Sequence, residues 1–431
     1  MMQVFKGMLA LCGLAAVATA DEWPGWRGPT GQGQCAEKDL PLTWSATENV
    51  RWKVALPDAG SSTPAVWGDR VFVTQASEKT VWPPKGGNGG MALARKRSLL
   101  CFARADGKLL WQNDVLHEEE EPTHPTNPYC SASPATDGER VVVSHGSAGL
   151  HCYDFSGKEL WKADLGKMEH VWGNASSPVL YQDLVLVWVG PGENQKLVAL
   201  EKKTGAKKWE HVEPGGDSGL KSGKWLGSWS TPVIAKVGAA DQVLLSVPTK
   251  LKGFDPKTGK ELWSCAGLGN LVYTSPLVSD GIAVAMSGYG GPALAVTLGG
   301  SGDITAARLW HHAKSNPQRI GSGVIVGAHV YIVEDSGAPH CFDLKTGDEL
   351  WAKQIEKRPG GGAWGSMIHS AGRLYVTDRG GTTLVFKADP AFELLASNRL
   401  AGEHTDASIA VSNGELFIRT YKQLWCIGAA K

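Results

Sequence analysis

The chain carries no surplus of either charge, since 43 basic residues stand against 43 acidic ones. That balance excludes the basic footprint of a nucleic-acid surface and the polybasic patch of a membrane-surface protein. No Cys-x-x-Cys occurs and no two cysteines are adjacent, so the usual thiol-redox and zinc-clasp spacings are missing. His-Glu-x-x-His, Gly-x-Ser-x-Gly and Gly-x-x-x-x-Gly-Lys-[Ser/Thr] are absent as well, which leaves the zincin, α/β-hydrolase and P-loop chemistries without a starting point. No apolar run is long enough to span a bilayer comfortably, so no transmembrane segment is expected.

What the chain does have is 54 glycines and 18 tryptophans in 431 residues. Many turns and large buried aromatics suit a β protein better than a helical one. Residues 1–20 have the build of a secretory signal peptide. Lys6 is the only charge, Met8 to Val17 is apolar, and Ala18-Thr19-Ala20 fits a small-residue cleavage site before Asp21. A soluble periplasmic or secreted protein is therefore expected. Residues 21–44 form an N-terminal extension ahead of the repeats, expected to lie across the first of them.

Repetition organises the rest. Thr258-Gly259-Lys260-Glu261-Leu262-Trp263 returns as Thr346-Gly347-Asp348-Glu349-Leu350-Trp351, with looser copies ending at Trp111, Trp161 and Trp209. Tryptophans 111, 161, 209, 263, 310 and 351 recur at intervals of 41 to 54 residues. Four strands of about 5–6 residues with connections of about 4–6 fill such a period. Runs such as Val141-Val142-Val143, Leu184-Val185-Leu186-Val187 and Val330-Tyr331-Ile332-Val333 are short, β-branched and bounded by turn residues. Their near-continuous hydrophobicity implies strands buried on both faces, as in stacked sheets around an axis.

A second marker opens each unit. Ser62-Thr63-Pro64, Ser131-Ala132-Ser133-Pro134, Ser176-Ser177-Pro178, Ser230-Thr231-Pro232 and Thr274-Ser275-Pro276 are the strong copies, and Gly321-Ser322-Gly323, Gly365-Ser366-Met367 and Asp406-Ala407-Ser408 the degenerate ones. Eight openers predict an eight-bladed β-propeller over residues 45–431, with seven blades as the competing count. The last copy lacks a fourth strand, and Val50-Arg51-Trp52-Lys53-Val54 is an orphan strand with the missing character. Pairing the two closes the ring and removes two sheet edges. Cys101, Cys152, Cys341 and Cys426 share one repeat position with Ala199 and Gly253, which marks a small buried slot. Cys35, Cys130 and Cys265 lie outside it, and a Cys35–Cys130 disulfide stays open in an oxidising compartment. The acidic 117–128 link, including Glu118–Glu121, is expected to be a solvated loop.

The Ser-x-Pro openers, the Cys341-Phe342-Asp343-Leu344-Lys345-Thr346-Gly347 core and the following Leu-Trp resemble the PQQ-like (quinoprotein-type) β-propeller family over roughly residues 45–428. Trp23-Pro24-Gly25-Trp26-Arg27-Gly28-Pro29 is similar to the start of many secreted bacterial members. The resemblance implies that each Trp docks one blade on the next. It also implies two function classes. Quinoprotein dehydrogenases hold pyrroloquinoline quinone (PQQ) on the axis with calcium and a catalytic Asp, and many alcohol-oxidising members add a disulfide between adjacent cysteines, which this chain lacks. Other members resemble the propeller lipoprotein of the outer-membrane β-barrel assembly machine and act as scaffolds.

Loops entering the inner strands should meet at one mouth. They carry Tyr129, Trp172, Asn174, Trp225, Trp229, Tyr273, Arg319, Trp364, His404 and Asp406. Flat aromatic faces with a guanidinium, an amide and a carboxylate suit a planar quinone or a sugar; they equally suit a structural plug of the tunnel. The first expectation is an exported, non-enzymatic module that binds a protein, peptide or glycan at this mouth. The alternative is a PQQ-dependent oxidoreductase, with Asp406 as base and Asn174 and Asp406 as the only calcium ligands to nominate.

Overall fold

Glycine and asparagine turns cut the β-branched runs into eight antiparallel four-stranded blades around one axis, an all-β eight-bladed propeller. The computed structural model describes residues 22–81, 90–124, 126–127, 129–314, 316–317, 319–355, 362–400 and 402–428. The signal-peptide pattern of residues 1–20 lies outside the described residues. Blade 1 runs from Ala65 to Leu116, blade 2 from Ala135 to Ala163, blade 3 from Val179 to Val212 and blade 4 from Val233 to Ala266. Blade 5 runs from Leu277 to His312, blade 6 from Val324 to Ala352 and blade 7 from Ile368 to Arg399. Blade 8 takes three strands from Ala410 to Ile427, and Val50–Ala55 as its fourth. That pairing, Trp52 opposite Cys426, closes the ring as expected.

The small slot has a direct cause. Cys101 faces Trp111 across the third and outer strands, Cys152 faces Trp161, Ala199 Trp209, Gly253 Trp263, Ala295 Trp310, Cys341 Trp351 and Cys426 Trp52. Blade 7 has lost its Trp, and there the slot widens to Val385 opposite Ala396. Each indole then reaches the following blade. Trp52 Nε1 donates to the Arg104 carbonyl at 2.7 Å, Trp111 to Phe155 at 3.1 Å, Trp161 to Lys202 at 2.9 Å, Trp209 to Pro256 at 3.0 Å and Trp310 to Leu344 at 2.9 Å. The Pro256 and Leu344 carbonyls sit in Asp-x-x-Thr-Gly turns, and those of Arg104, Phe155 and Lys202 in looser copies of that turn. Asp343 Oδ1 accepts from the Lys345 and Thr346 amides, and Asp255 Oδ1 from Lys257 and Thr258. This Asx-type bonding leaves the intervening carbonyl pointing at the neighbour. Gly259 adopts φ +71°, and a Cβ there would stand 2.3 Å from the Trp209 ring. Trp263 is the exception. It donates within its own blade to Gln242 Oε1 at 2.8 Å, because blade 5 lacks the Thr-Gly turn. There Gly302–Asp303 instead pairs in parallel alongside Trp263–Ser264.

The openers serve the axis. The Thr63 amide donates to Ser133 Oγ at 2.9 Å, Ser133 to Ser177 at 2.9 Å, Ser177 to Thr231 at 3.1 Å and Thr231 to Ser275 at 2.8 Å. Ser275 donates to Ser322 at 3.0 Å, Ser322 to Ser366 at 2.9 Å and Ser366 to Ser408 at 2.8 Å. One hydroxyl in each of blades 2 to 8 thus satisfies a buried backbone N–H that no strand covers. This explains the degenerate openers: the proline can go, and the hydroxyl stays.

The extension does more than lie on the first blade. It crosses the end of the axis opposite the mouth. Trp23 forms a β-bridge with Val66 of blade 1, and the Pro24 carbonyl accepts from Thr136 of blade 2. Arg27 donates to Gly323 at the start of blade 6, and Gln34–Cys35 pairs in parallel with blade 7 at His369 and Ser370. Trp44 is buried in the cluster that Leu395 and Ala396 pack against, and its amide donates to Asn398 at 2.9 Å. An indole from the extension therefore fills the place where blade 7 lacks one.

One pairing left open is not formed, and one expectation is corrected. Cys35 lies against blade 7 whereas Cys130 Sγ reaches the Ala59 carbonyl at 3.6 Å, and all the described cysteines are free thiols. The 117–128 link is only partly solvated. Glu121 is buried and pairs with buried Arg97 at 2.6 Å, because strand Glu121–Thr123 docks on the tall second hairpin of blade 1. Glu118 and Glu119 remain exposed, on Arg95 and Lys167.

The slot rule predicts a compensating pair. At Gly253, a Cβ would stand 2.2 Å from the Trp263 ring, so Gly253→Val should cost about 1–3 kcal/mol by overpacking, and Trp263→Ala about 3–5 kcal/mol. The double variant recreates the Val385/Ala396 pair of blade 7, and its loss in urea denaturation should fall short of the summed single losses. Simple additivity would refute the slot rule.

Candidate functional site

A cavity of about 450 Å³ opens on the axis at the mouth formed by the inter-blade links and the second-strand hairpins. Five of the expected residues line it: Trp172, Trp229, Tyr273, Trp364 and Asp406. The hydroxyls of Thr63, Thr231, Ser366 and Ser408 from the axial ring lie around its inner end. Trp26 of the extension lines it from the opposite end of the axis. Trp26 also lines a groove of about 600 Å³ between the extension and blades 2 to 4, and so stands between the two spaces.

Aromatic rings build one wall. Trp172 stacks on His124 at 5.4 Å and on Tyr273 at 6.5 Å between centroids, meets Tyr289 edge-on at 5.3 Å and leans on Trp225 at 5.9 Å. Behind them Trp229 packs on Tyr273 at 5.0 Å and on His170 at 4.8 Å, and donates to the Gly173 carbonyl at 2.8 Å. Burial lowers the His124 imidazole and takes His170 down to about 4, so both are neutral at pH 7. Burial likewise raises the Tyr273 and Tyr289 phenols, keeping them protonated.

The other wall is a closed ionic network. Arg379 Nε donates to Asp406 Oδ1 at 2.8 Å, while His404 Nε2 lies 3.2 Å and the Tyr421 hydroxyl 2.6 Å from Asp406 Oδ2. The Arg379 guanidinium sits 3.9 Å over the Trp364 ring, whose Nε1 donates to Asp335. Burial pushes the Asp406 carboxyl up, yet the His404, Arg379 and Tyr421 contacts outweigh it and leave its pKa below the ordinary value. A carboxylate held this way is a weaker base than an unperturbed one.

Five expected residues do not line the cavity, Trp225 among them, where it leans on Trp172. Tyr129 covers Arg97 at 4.7 Å and donates to the Glu121 carbonyl at 2.6 Å, under the tall hairpin of blade 1. Asn174 is buried with its amide against the Gly146 turn, and Ala175 takes its place at the cavity. Arg319 is buried and donates to the Gly291 carbonyl at 2.9 Å, while its neighbour Ile320 lines the cavity. His404 stands behind Asp406 as a partner of that carboxylate. Sequence reasoning missed Tyr289, Arg379 and Tyr421, which stand at the second-to-third-strand turns. Those turns emerge on the same face as the openers, as alternation along a four-stranded blade requires, and counting strands would have found them.

A family model described as outer membrane protein assembly factor BamB matches residues 95–353. No curated relative matches the sequence. Among solved structures, BamB from Moraxella catarrhalis is similar at 15% identity with TM-score 0.55, covering 83% of this chain and 98% of that one. A europium-containing methanol dehydrogenase matches at 12% identity and TM-score 0.64, covering 93% and 89%. A quinohemoprotein alcohol dehydrogenase from Comamonas testosteroni matches at 12% and 0.66, covering 97% and 82%. At these identities the likeness is one of fold.

The cavity does not fit a calcium–quinone pair. Both Asp406 oxygens are engaged, Asn174 is turned away, and no group of three His, Cys, Asp or Glu side chains suited to a metal occurs among the described residues. A polyanionic quinone needs cations. Arg379 is the cation bonded to the lining carboxylate, and it is already paired and stacked.

Breaking the network has a signed pH signature. Asp406→Asn should lower stability by about 1.5–3 kcal/mol at pH 7. Because the folded carboxyl lies below its unfolded value, the wild-type advantage is full above about pH 4 and vanishes as pH falls through the folded pKa. Denaturant melts of both proteins between pH 7 and pH 2 check this; an advantage that grows on acidification would contradict it.

Proposed function

The chain belongs to the family described as outer membrane protein assembly factor BamB, and from that premise we propose that it is an exported, non-enzymatic propeller acting as a binding or scaffold module for a protein, peptide or glycan partner. The observation that carries this is the division of the mouth. One wall presents aromatic faces, and on the other the lining carboxylate of Asp406 is consumed by three neighbours. Such a cavity is shaped to hold a ligand, and no metal cluster occurs among the described residues.

Export to the periplasm or beyond is supported by the signal-like residues 1–20. The thiols suit an oxidising compartment as well. Burial raises Cys101 and Cys152 to about 12 and Cys265 and Cys341 to about 11, which keeps them as unreactive thiols. The mature protein should begin at Asp21, and intact-mass measurement of protein recovered outside the cytoplasm would show this. Full-length mass in that fraction would overturn the cleavage.

The dehydrogenase alternative draws only on fold likeness and is tested directly. Calorimetric titration of the purified protein with PQQ and calcium should give no stoichiometric binding, and visible absorbance should show no bound quinone. Tight stoichiometric binding would overturn the module proposal.

A further inference from the structure

We propose that the axial cavity is a binding site for neutral saccharide. The proposal rests on the binding-module reading above and narrows it to one ligand class. Three features of the site carry it.

The first is charge. Asp406 is the one carboxylate among the described residues lining the cavity, and its oxygens are already bonded to Arg379, His404 and Tyr421. The Trp364 face, which would otherwise attract a ligand cation, carries the Arg379 guanidinium at 3.9 Å. A charged ligand would find neither a free counter-ion nor an open cation–π face on this wall. An uncharged one is under no such penalty.

The second is hydrogen bonding. Ser366 and Ser408 each accept a backbone N–H from the preceding blade, and Thr231 does so at 3.1 Å. An amide donor uses a hydroxyl's lone pair and leaves its own O–H free to turn. These hydroxyls line the cavity and face the axis as short, neutral donors on a rigid ring. A sugar presents many hydroxyl oxygens as acceptors at just such close spacing.

The third is the aromatic wall. Trp172, Tyr273 and Tyr289 form a joined surface, and Tyr289 is 46% exposed. The indole N–H of Trp172 is buried and has no acceptor among the described residues, an unmet donor at the cavity edge. Flat rings beside hydroxyl donors match the two chemistries of a pyranose, whose C–H face is apolar and whose rim is polar. At about 450 Å³ the cavity lies in the size range of small-ligand sites.

The test uses the full mature chain on a printed array of neutral and acidic glycans. Calorimetry and tryptophan fluorescence then follow with the strongest neutral oligosaccharide, with trigalacturonate and with choline. One neutral oligosaccharide should bind at one site and change the tryptophan emission. Trp172→Ala should weaken that binding at least about tenfold, with the denaturation midpoint measured in parallel to show that the variant is folded. Tyr289→Ala, at an exposed position, should weaken it as well without touching the core. No neutral glycan binding, binding untouched by both variants, or a preference for trigalacturonate or choline would overturn the proposal. PQQ with calcium, titrated in the same series, separates the two levels. Silence toward both sugar and quinone removes the saccharide and leaves the module reading standing. Quinone binding removes the module reading itself.

Discussion

The structure depends on one contact repeated around the ring: an indole seated over a slot too small for a side chain, reaching the next blade's turn. The slot and the reach are coupled. Cys, Ala or Gly on the third strand lets the Trp lie against its own sheet, and only then does Nε1 extend to the neighbour's carbonyl. The carbonyl is available because the Asp of the Asp-x-x-Thr-Gly turn bonds the amides that follow, as Asp255 and Asp343 do. A strand position, a turn and a blade interface are thus parts of one device, and each of the eight junctions is a local solution to the same packing problem.

The two departures show how strong the constraint is. Blade 7 lost its indole, and both sides of the contact changed with it: Val385 fills the slot and Trp44 arrives from the extension. Blade 4 kept its indole while blade 5 lost the receiving turn. Trp263 turned to Gln242, and Gly253 gave it the room. In neither case does the interface tolerate a void, as the cost of an unfilled cavity requires.

Much of this was legible in sequence because the repeat states it many times. Blade count, ring closure by Val50–Ala55 and the meaning of the small slot all follow from comparing copies within one chain. The mouth was legible only where a residue sits beside an opener, as Trp172, Trp229, Tyr273, Trp364 and Asp406 do. Tyr289, Arg379 and Tyr421 come from turns that carry no repeated motif, so only counting strands along each blade points to them. Arg319 and Asn174 failed for a different reason. Position on a mouth loop does not decide which way a side chain turns: Arg319 found the Gly291 carbonyl, and Asn174 turned its amide toward the Gly146 turn. The extension has no internal copy to compare with, and its crossing of the ring rests on single contacts such as Arg27 to Gly323.

These contacts also give the axis a direction. Trp26 lines both the cavity and the groove on the opposite face, so the extension covers the end of the axis away from the mouth. A carboxylate that shared such a chamber with open coordination would be poised for chemistry. Asp406 is instead tied on both oxygens, and its lowered pKa is the thermodynamic record of those ties. The network that holds Arg379 over Trp364 therefore fixes the shape of one wall at the expense of its reactivity. What remains free is the ring of hydroxyls and the aromatic wall opposite. Hydrogen bonding and stacking are what these groups offer a ligand.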